Sequence, residues 1–305
     1  MKNNTHLSGL VAATFTPMHS DGRLDVTAIP PMVEYLVHCG ISGLYVLGST
    51  GEGPSLTYDE RRTSAEAFVH AAAGRLPVIV QVGCESLAQA RQLATHVQEV
   101  GGDAISAVSP VYFKPESVET LVESMAQIAS AAPQLPFYYY HIPVVTGVAV
   151  NMIEFLRLGG DRIATLRGIK FTSASVQEFQ SCVEFAGDRY EILWGLDEML
   201  LSGLTAGARA AVGSTYNFAA PIYQRLLAAV ANGDLEEARR HQSRSQQIVR
   251  TFLPYGPRAA QKAIMSMVGP NCGPTRLPIA PLGPSQVEAL RSELEEIGFF
   301  EWTAS

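Results

Sequence analysis

The stretch RGIKFTSASVQEFQSCVEF, Arg167–Phe185, decides the fold because it contains a complete strand–helix unit. Its first part, RGIKFTS, is typical of a short strand that is apolar on both faces. In Val176–Phe185, apolar residues recur at spacings of three and four, which predicts a helix. Strands that are apolar on both faces indicate a parallel sheet covered by helices. The stretch therefore predicts one βα unit of such a sheet.

The same kind of unit recurs along the chain. Seven other β-rich runs lie at fairly regular intervals: GLVAATFTP, GLYVLGST, PVIVQVG, DAISAVSP, PFYYYHIP, YEILWGLD and ARAAVGST. Helical spacing lies between several of them, at Val26–His38, Tyr58–Ala73, Ser86–Val100 and Ser117–Ala131. Eight units within about 220 residues favour a closed (β/α)₈ TIM barrel over an open doubly wound sheet. An open sheet would require a Gly-rich nucleotide loop after the first strand, and TFTPMHSDG is not one.

The pattern becomes helical from Pro221 onward. Four segments carry it: YQRLLAAVANGD, LEEARRHQSRSQQIVRTFL, RAAQKAIMSMVG and PSQVEALRSELEEIG. No linker separates them from the preceding units. We therefore predict a single domain over 1–305, with the barrel over 8–220 and a C-terminal helical extension over 221–305. The extension is expected to provide a packing or oligomer surface.

Composition excludes several classes of partner. Of the 305 residues, 47% are hydrophobic, and 22 basic against 29 acidic residues give a net charge of −7. Without a run of Lys or Arg, no nucleic acid partner is expected. No segment reaches the ~20 apolar residues of a membrane helix, so we expect no membrane association and a cytoplasmic location. The four cysteines lie far apart without a CxxC pair, which indicates buried inert thiols rather than a zinc site or disulfides.

Lys170 is the first candidate for chemistry. It is one of four lysines and lies between Ile169 and Phe171 in an apolar strand. Burial there would favour the neutral amine, which is a nucleophile toward a carbonyl group. The alternative is an interior lysine that pairs with a carboxylate or extends its head to the barrel mouth. From the residues alone, a Schiff-base role and this alternative both remain open.

Other strand ends also carry polar residues, and active sites of (β/α)₈ barrels lie at these ends. GSTGEG could present Ser49, Thr50 and backbone N–H groups to a carboxylate, or it could be an ordinary turn that Glu52 caps or braces. It matches no nucleotide loop.

FYYYHIP should direct Tyr138 and Tyr140 to one face and Tyr139 to the other. Tyr140, nearest the strand end, is the candidate for proton transfer, with a packed aromatic ring as the alternative, and His141 is favoured as structural. Asp197 and Glu198 of GLDE could be a general acid/base pair, accept from sugar hydroxyls or serve as helix N-terminal residues. No adjacent His or Cys completes a metal site, so no metal is expected.

Six of these motifs together resemble a known family. GSTGEG, SPVYFKP, YYYHIPVVTGV, GIKFT, GLDE and AVGSTYN occur in the order and at roughly the spacing of the pyruvate-dependent aldolases related to dihydrodipicolinate synthase and N-acetylneuraminate lyase. The resemblance covers about residues 8–300. It implies that Lys170 forms the Schiff base and that Tyr140 shuttles the proton. It also implies that Ser49 and Thr50 hold the α-keto acid carboxylate and join the proton relay.

The resemblance assigns further roles. Tyr112 matches a tyrosine that, in relatives, reaches into or near the neighbouring subunit's site, which implies a homotetramer. Lysine-biosynthesis members have an arginine where this chain has Val145, and an apolar side chain cannot replace a guanidinium. The motifs are more similar to the N-acetylneuraminate lyase branch. There the hydroxyl-rich tail of the sugar would be lined by residues matching Thr172, Gly195, Asp197, Glu198, Gly213 and Ser214.

The resemblance thus implies a Schiff-base aldolase that reversibly cleaves N-acetylneuraminate to N-acetylmannosamine and pyruvate. No cofactor is expected, because the imine itself is the electron sink. Two alternatives stay open. One is another pyruvate-dependent aldolase or dehydratase that uses the same lysine, such as 4-hydroxy-tetrahydrodipicolinate synthase or a sugar-acid aldolase. The other is a non-catalytic sugar-acid binding protein, which would need neither Lys170 nor Tyr140.

Overall fold

Eight parallel strands form a closed barrel in the computed structural model, which describes residues 6–304. The strands follow chain order around the barrel, and the ring closes where Val11 of the first strand pairs with Val212 of the last. Their bounds are β1 Gly9–Ala13, β2 Gly43–Val46, β3 Val78–Gln81, β4 Ala104–Val108, β5 Phe137–His141, β6 Leu166–Phe171, β7 Glu191–Trp194 and β8 Ala210–Gly213. The predicted (β/α)₈ barrel is confirmed.

Helices cover the outside of the barrel. Within residues 6–304 they are α1 Ile29–His38, α2 Tyr58–Ala72, α3 Leu87–Glu99, α4 Val118–Ala129, α5 Pro143–Thr146, α6 Met152–Arg162, α7 Val176–Ala186, α8 Leu200–Thr205, α9 Tyr216–Ala231, α10 Leu235–Phe252, α11 Pro257–Val268, α12 Pro284–Glu296 and α13 Phe299–Thr303. None of these helices combines the length and the apolar character needed to cross a membrane.

Caps explain where several of the helices begin. Thr57 and Glu60 form a reciprocal capping box at the start of α2. Ser86 and Ser117 accept from backbone N–H groups in the first turns of α3 and α4. Each cap satisfies a donor that has no partner inside the helix.

Alternation along the strands creates two separate apolar regions. Tyr138 and Tyr140 point into the barrel, where they pack with Val11, Tyr45 and Leu193. Tyr139 lies in the larger core between barrel and helices. The predicted alternation of the three tyrosines is confirmed. Because the interior is filled with side chains, only its upper end can admit a ligand.

The C-terminal helices pack against the barrel and its loops. α9 begins directly after β8 and is kinked at Ala219 and Pro221, because proline cannot continue the helical hydrogen bonds. The helix predicted from Pro221 onward thus begins five residues earlier, at Tyr216. The division into a barrel over 8–220 and an extension over 221–305 stays a prediction, and residues 220 and 221 lie inside α9.

All four cysteines are free thiols. Cys182 and Cys272 are buried as expected, but Cys39 and Cys84 are only half-buried.

Candidate active site

Lys170 and Tyr140 are brought together by the pairing of β5 with β6. The two residues are direct neighbours across these strands, and both side chains point into the barrel near its upper end. Lys170 is 4% exposed, which is rare for a lysine. The strand register alone therefore places an amine beside a phenol in a water-poor space.

The environment of Lys170 favours the neutral amine. Burial lowers the pKa of Lys170 to about 7, and Arg258 adds to the lowering while Asp197 opposes it. The nitrogen lies 3.7 Å from the ring centre of Tyr45 and 4.1 Å from that of Tyr140. Near neutral pH a large fraction of the amine is thus unprotonated and able to attack a carbonyl carbon.

The GSTGEG turn carries hydrogen-bond donors to the same place. In residues 6–304, no protein acceptor binds the backbone N–H of Ser49 or Thr50. The Ser49 hydroxyl lies 3.5 Å from the Tyr140 hydroxyl. The Thr16 hydroxyl donates to the Gly51 carbonyl at 2.6 Å, and this hydrogen bond holds the turn in place. The turn can therefore bind a carboxylate beside Lys170.

Glu52 holds this turn in place through a buried ion pair. Its backbone is left-handed, with φ of 54°, an uncommon conformation for a residue other than glycine. Its carboxylate lies 2.9 Å from the Lys262 amine and accepts from the Arg276 backbone N–H at 3.0 Å. The Lys262 amine also donates to the Pro274 carbonyl at 2.8 Å. Glu52 thus braces the turn, one of the two roles considered for it, by linking it to α11 and the segment that follows.

Tyr140 keeps its proton in this environment. Burial raises the pKa of its phenol, and the Ser49 hydroxyl opposes the increase. The phenol can therefore carry a proton only if a second group accepts or returns one at the same time.

Asp197 is buried at the β7 end, in a 3₁₀ turn over Asp197–Met199. Its Oδ2 accepts from the Thr215 backbone N–H and hydroxyl, both at 2.7 Å, and from the Ser214 hydroxyl at 3.4 Å. Its Oδ1 has no donor among residues 6–304. Burial raises the pKa of Asp197 to about 6, and Glu198 adds to the increase. One oxygen thus holds the carboxylate in place while the other remains available to a ligand.

Two glycines keep space open around these groups. A Cβ on Gly195 would overlap the Thr172 hydroxyl, and one on Gly213 would overlap the Asp197 carboxylate. The Thr172 hydroxyl lies close enough to the Tyr140 phenol to oppose the increase in its pKa. Glu198 is half-buried beside Asp197, and its backbone carbonyl accepts from Gln246 at 3.1 Å. All six residues expected to line the sugar tail therefore lie at the ends of β6, β7 and β8.

Three other residues lie outside this cluster. Tyr112 is 80% exposed and packs edge-on against Phe113, so a single chain does not bring its ring to Lys170. His141 points to the outer core, where it packs against Phe171 and burial lowers its pKa to about 4. Val145 is 61% exposed in α5.

Tyr45 and Arg258 were missed in the sequence. Tyr45 occupies an interior position of an apolar strand, so its pattern is that of core packing. Arg258 lies in the first turn of α11, one turn before Gln261 and Lys262, which contact Ser214 and Glu52. Positions three and four apart share a helix face, so Arg258 faces the barrel mouth. No local signal in the sequence could have placed α11 there.

No group of three or more His, Cys, Asp or Glu side chains within residues 6–304 could hold a metal ion. The residues gathered around Lys170 supply a nucleophile, a phenol, hydroxyls and one carboxylate. This set is suited to carbonyl chemistry through an imine.

Comparison with known proteins agrees with this geometry. The family model for the dihydrodipicolinate synthetase family matches residues 6–297. N-acetylneuraminate lyase A of Xenopus laevis is 43% identical over 277 residues, which are 90% of each chain. N-acetylneuraminate lyase of Homo sapiens is 38% identical over 97% of this chain and 94% of its own. The solved structure of Proteus mirabilis N-acetylneuraminate lyase superposes with a TM-score of 0.94 at 37% identity, over 97% of this chain and 100% of its own. Fold, strand-end residues and these similarities together show that the chain belongs to the dihydrodipicolinate synthetase family.

Proposed function

We propose that this chain is a Schiff-base aldolase that reversibly cleaves N-acetylneuraminate to N-acetylmannosamine and pyruvate. The observation that carries the proposal is the buried amine of Lys170, held beside Tyr140 and the Ser49–Thr50 turn. Relatives named N-acetylneuraminate lyase at 38–43% identity support this choice of substrate.

The reaction begins with imine formation. The carboxylate of the open-chain sugar binds the Ser49–Thr50 turn, which places the neighbouring ketone carbon beside Lys170. The neutral amine adds to that carbon and gives a carbinolamine. The new hydroxyl takes up a proton and leaves as water. A protonated imine remains, with a C–N bond where the C–O bond was.

The C3–C4 bond breaks in the next step. The Tyr140 relay takes the proton of the C4 hydroxyl, whose electrons form the aldehyde of N-acetylmannosamine. The C3–C4 electron pair moves toward the imine and gives a neutral enamine. Because the Tyr140 phenol is itself protonated, it must pass its own proton to Ser49 and the substrate carboxylate. Protonation at C3 and addition of water then release pyruvate and restore the amine.

The sugar tail binds at the ends of β6 to β8. Asp197 Oδ1 and the Glu198 carboxylate accept from its hydroxyls, and Thr172 and Ser214 supply hydroxyl groups. Gly195 and Gly213 leave room for the tail. Ionised oxygens suit this role because each can accept more than one hydrogen bond.

The enzyme acts in the cytoplasm as a homotetramer, in which Tyr112 approaches the site of a neighbouring subunit. The basis for this assembly is the exposed rim segment, where Tyr112 is 80% and Phe113 83% exposed.

A coupled assay of pyruvate release from N-acetylneuraminate tests the substrate. We expect release by the wild type, loss in Lys170→Arg and normal rates in the control Arg250→Lys, which changes an exposed basic side chain of α10. Faster condensation of pyruvate with aspartate semialdehyde than sugar cleavage would instead identify a synthase. In that case Val145→Arg, which restores the guanidinium of the lysine-biosynthesis relatives, should increase the condensation further.

A further inference from the structure

We propose that the ring of Tyr45 is a catalytic group: its face stabilises the positive charge that Lys170 nitrogen carries in the protonated imine. The inference rests on the proposed Schiff-base function and adds a residue for which no role was expected.

The nitrogen of Lys170 lies between two aromatic rings. Tyr45 extends from β2 into the barrel, 1% exposed, and its ring centre is 3.7 Å from the nitrogen. The Tyr140 ring is 4.1 Å away on β5. The two rings are 5.7 Å apart at an angle of 76°, so each ring borders the nitrogen from a different direction. Cations within about 6 Å of a ring centre are attracted to its negative face.

The hydroxyl of Tyr45 does not serve as an acid or base. It donates to the Ser106 hydroxyl at 3.0 Å. Burial raises the pKa of Tyr45 well above its usual value, so the phenol stays neutral. The hydrogen bond to Ser106 fixes the orientation of the ring. The part of Tyr45 that reaches the reacting atom is therefore the ring face.

The two charged groups that act on Lys170 have opposite effects on a positive nitrogen. Asp197 favours the cation, but its Oδ2 is engaged by Thr215. Arg258 disfavours the cation, and its guanidinium has no carboxylate partner within residues 6–304. In this buried site the two ring faces add to the attraction that Asp197 exerts on a positive nitrogen, while Arg258 opposes it.

If the ring has this role, the effect of its removal on imine formation should depend on pH. Below the pKa of about 7, the free amine is itself a cation. The ring then stabilises the free amine and the imine alike, so it does not change the equilibrium between them. Above that pKa the free amine is neutral, and only the imine benefits. A purely structural defect would lack this dependence on pH.

The test compares Tyr45→Leu with Tyr45→Phe, which keeps the ring. Each protein is equilibrated with pyruvate, reduced with cyanoborohydride and analysed by mass spectrometry for the Lys170 adduct. Well above pH 7, Tyr45→Leu should need roughly 30-fold more pyruvate for half-maximal labelling, from the strength of a desolvated cation–π contact. Well below pH 7 the difference should disappear, and Tyr45→Phe should follow the wild type throughout. An equal deficit at both pH values, or none, would overturn the inference.

A second series of variants at position 45 keeps the shape of the ring, and it serves if Tyr45→Leu does not fold. Phenylalanine analogues with increasing numbers of fluorine atoms at position 45 progressively weaken the negative face. Labelling above pH 7 should decline with each fluorine, and labelling independent of fluorination would contradict the inference. Wild-type protein that traps pyruvate but leaves N-acetylneuraminate intact would overturn the proposed substrate only. Absence of any wild-type adduct would overturn both.

Discussion

Lys170 shows how one residue obtains its chemistry from its position. Its ordinary pKa of 10.5 falls to about 7 because the charged form loses its hydration inside the barrel. The amine is therefore neutral above about pH 7 and protonated below. We expect the initial rate of pyruvate trapping to rise with pH and to level off above this value. A rise centred near 10.5 would contradict the buried, depressed amine.

Tyr140 provides a second prediction at this scale. Tyr140→Phe keeps the ring against Lys170 but removes the proton carrier, so kcat should fall ~10²–10⁴-fold while pyruvate trapping persists. Tyr139→Phe is a matched control, because this neighbouring phenol lies in the core between barrel and helices, on the face of β5 opposite Lys170. Equal turnover in the two variants would assign Tyr140 to packing.

The carboxylates of GLDE control specificity in the proposed reaction. Asp197→Asn and Glu198→Gln should raise KM for N-acetylneuraminate by about 10- to 150-fold, the range for hydrogen bonds to charged groups. Trapping of pyruvate should be spared in Glu198→Gln, because pyruvate lacks the sugar tail, whereas Asp197→Asn also removes a charge that favours the Lys170 cation. Asp188→Asn, at a carboxylate 85% exposed, is the control. Unchanged sugar kinetics in both variants would make these carboxylates structural.

At the scale of elements, the ion pair of Glu52 and Lys262 connects the carboxylate-binding turn to α11. Both side chains are almost fully buried, at 1% and 2% exposure. Lys262→Met leaves a buried carboxylate without its cation, and we expect a loss of about 3–5 kcal/mol in the free energy of unfolding. Urea denaturation measures it, with Lys114→Met as the exposed control.

The double variant Glu52→Gln/Lys262→Met tests the cause of that loss. Removing both charges should recover part of the stability, because no charge is then left unpaired. A double variant less stable than Lys262→Met would show that the pair stabilises through its shape rather than its charges.

Elements with a local signature could be predicted from the sequence, and contacts between distant elements could not. The strands are apolar runs with turn residues at their ends, and helix α2, expected over Tyr58–Ala73, ends one residue earlier. The strand-end residues around Lys170 followed from the barrel rule, because parallel strands bring their ends to one rim. Arg258 and Lys262 reach that rim from a helix whose docking depends on tertiary packing. Tyr45 was missed because an aromatic ring in an apolar strand has the same pattern whether it packs or stabilises a cation.

At the scale of the whole molecule, the upper rim carries an apolar patch. Val111, Tyr112, Phe113, Val144 and Val145 are 42–88% exposed there. Such a patch marks an interface between proteins, and we expect a homotetramer that covers it. Light scattering should give four times the 32.8 kDa chain mass, and Tyr112→Ala should lower turnover without preventing pyruvate trapping. A fully active monomer at assay concentration would refute a shared site.

The pairing of β1 with β8 also determines when the chain becomes reactive during its synthesis. Gly9 pairs with Ala210, so the ring cannot close before β8 has been synthesised. A Lys170 side chain that is still exposed to water is expected to keep the ordinary lysine pKa of 10.5 and to be almost fully protonated near neutral pH. We therefore expect the neutral amine to form only once the ring has closed. In urea, pyruvate and cyanoborohydride should label Lys170 no faster than Lys114, and selective labelling should return on refolding.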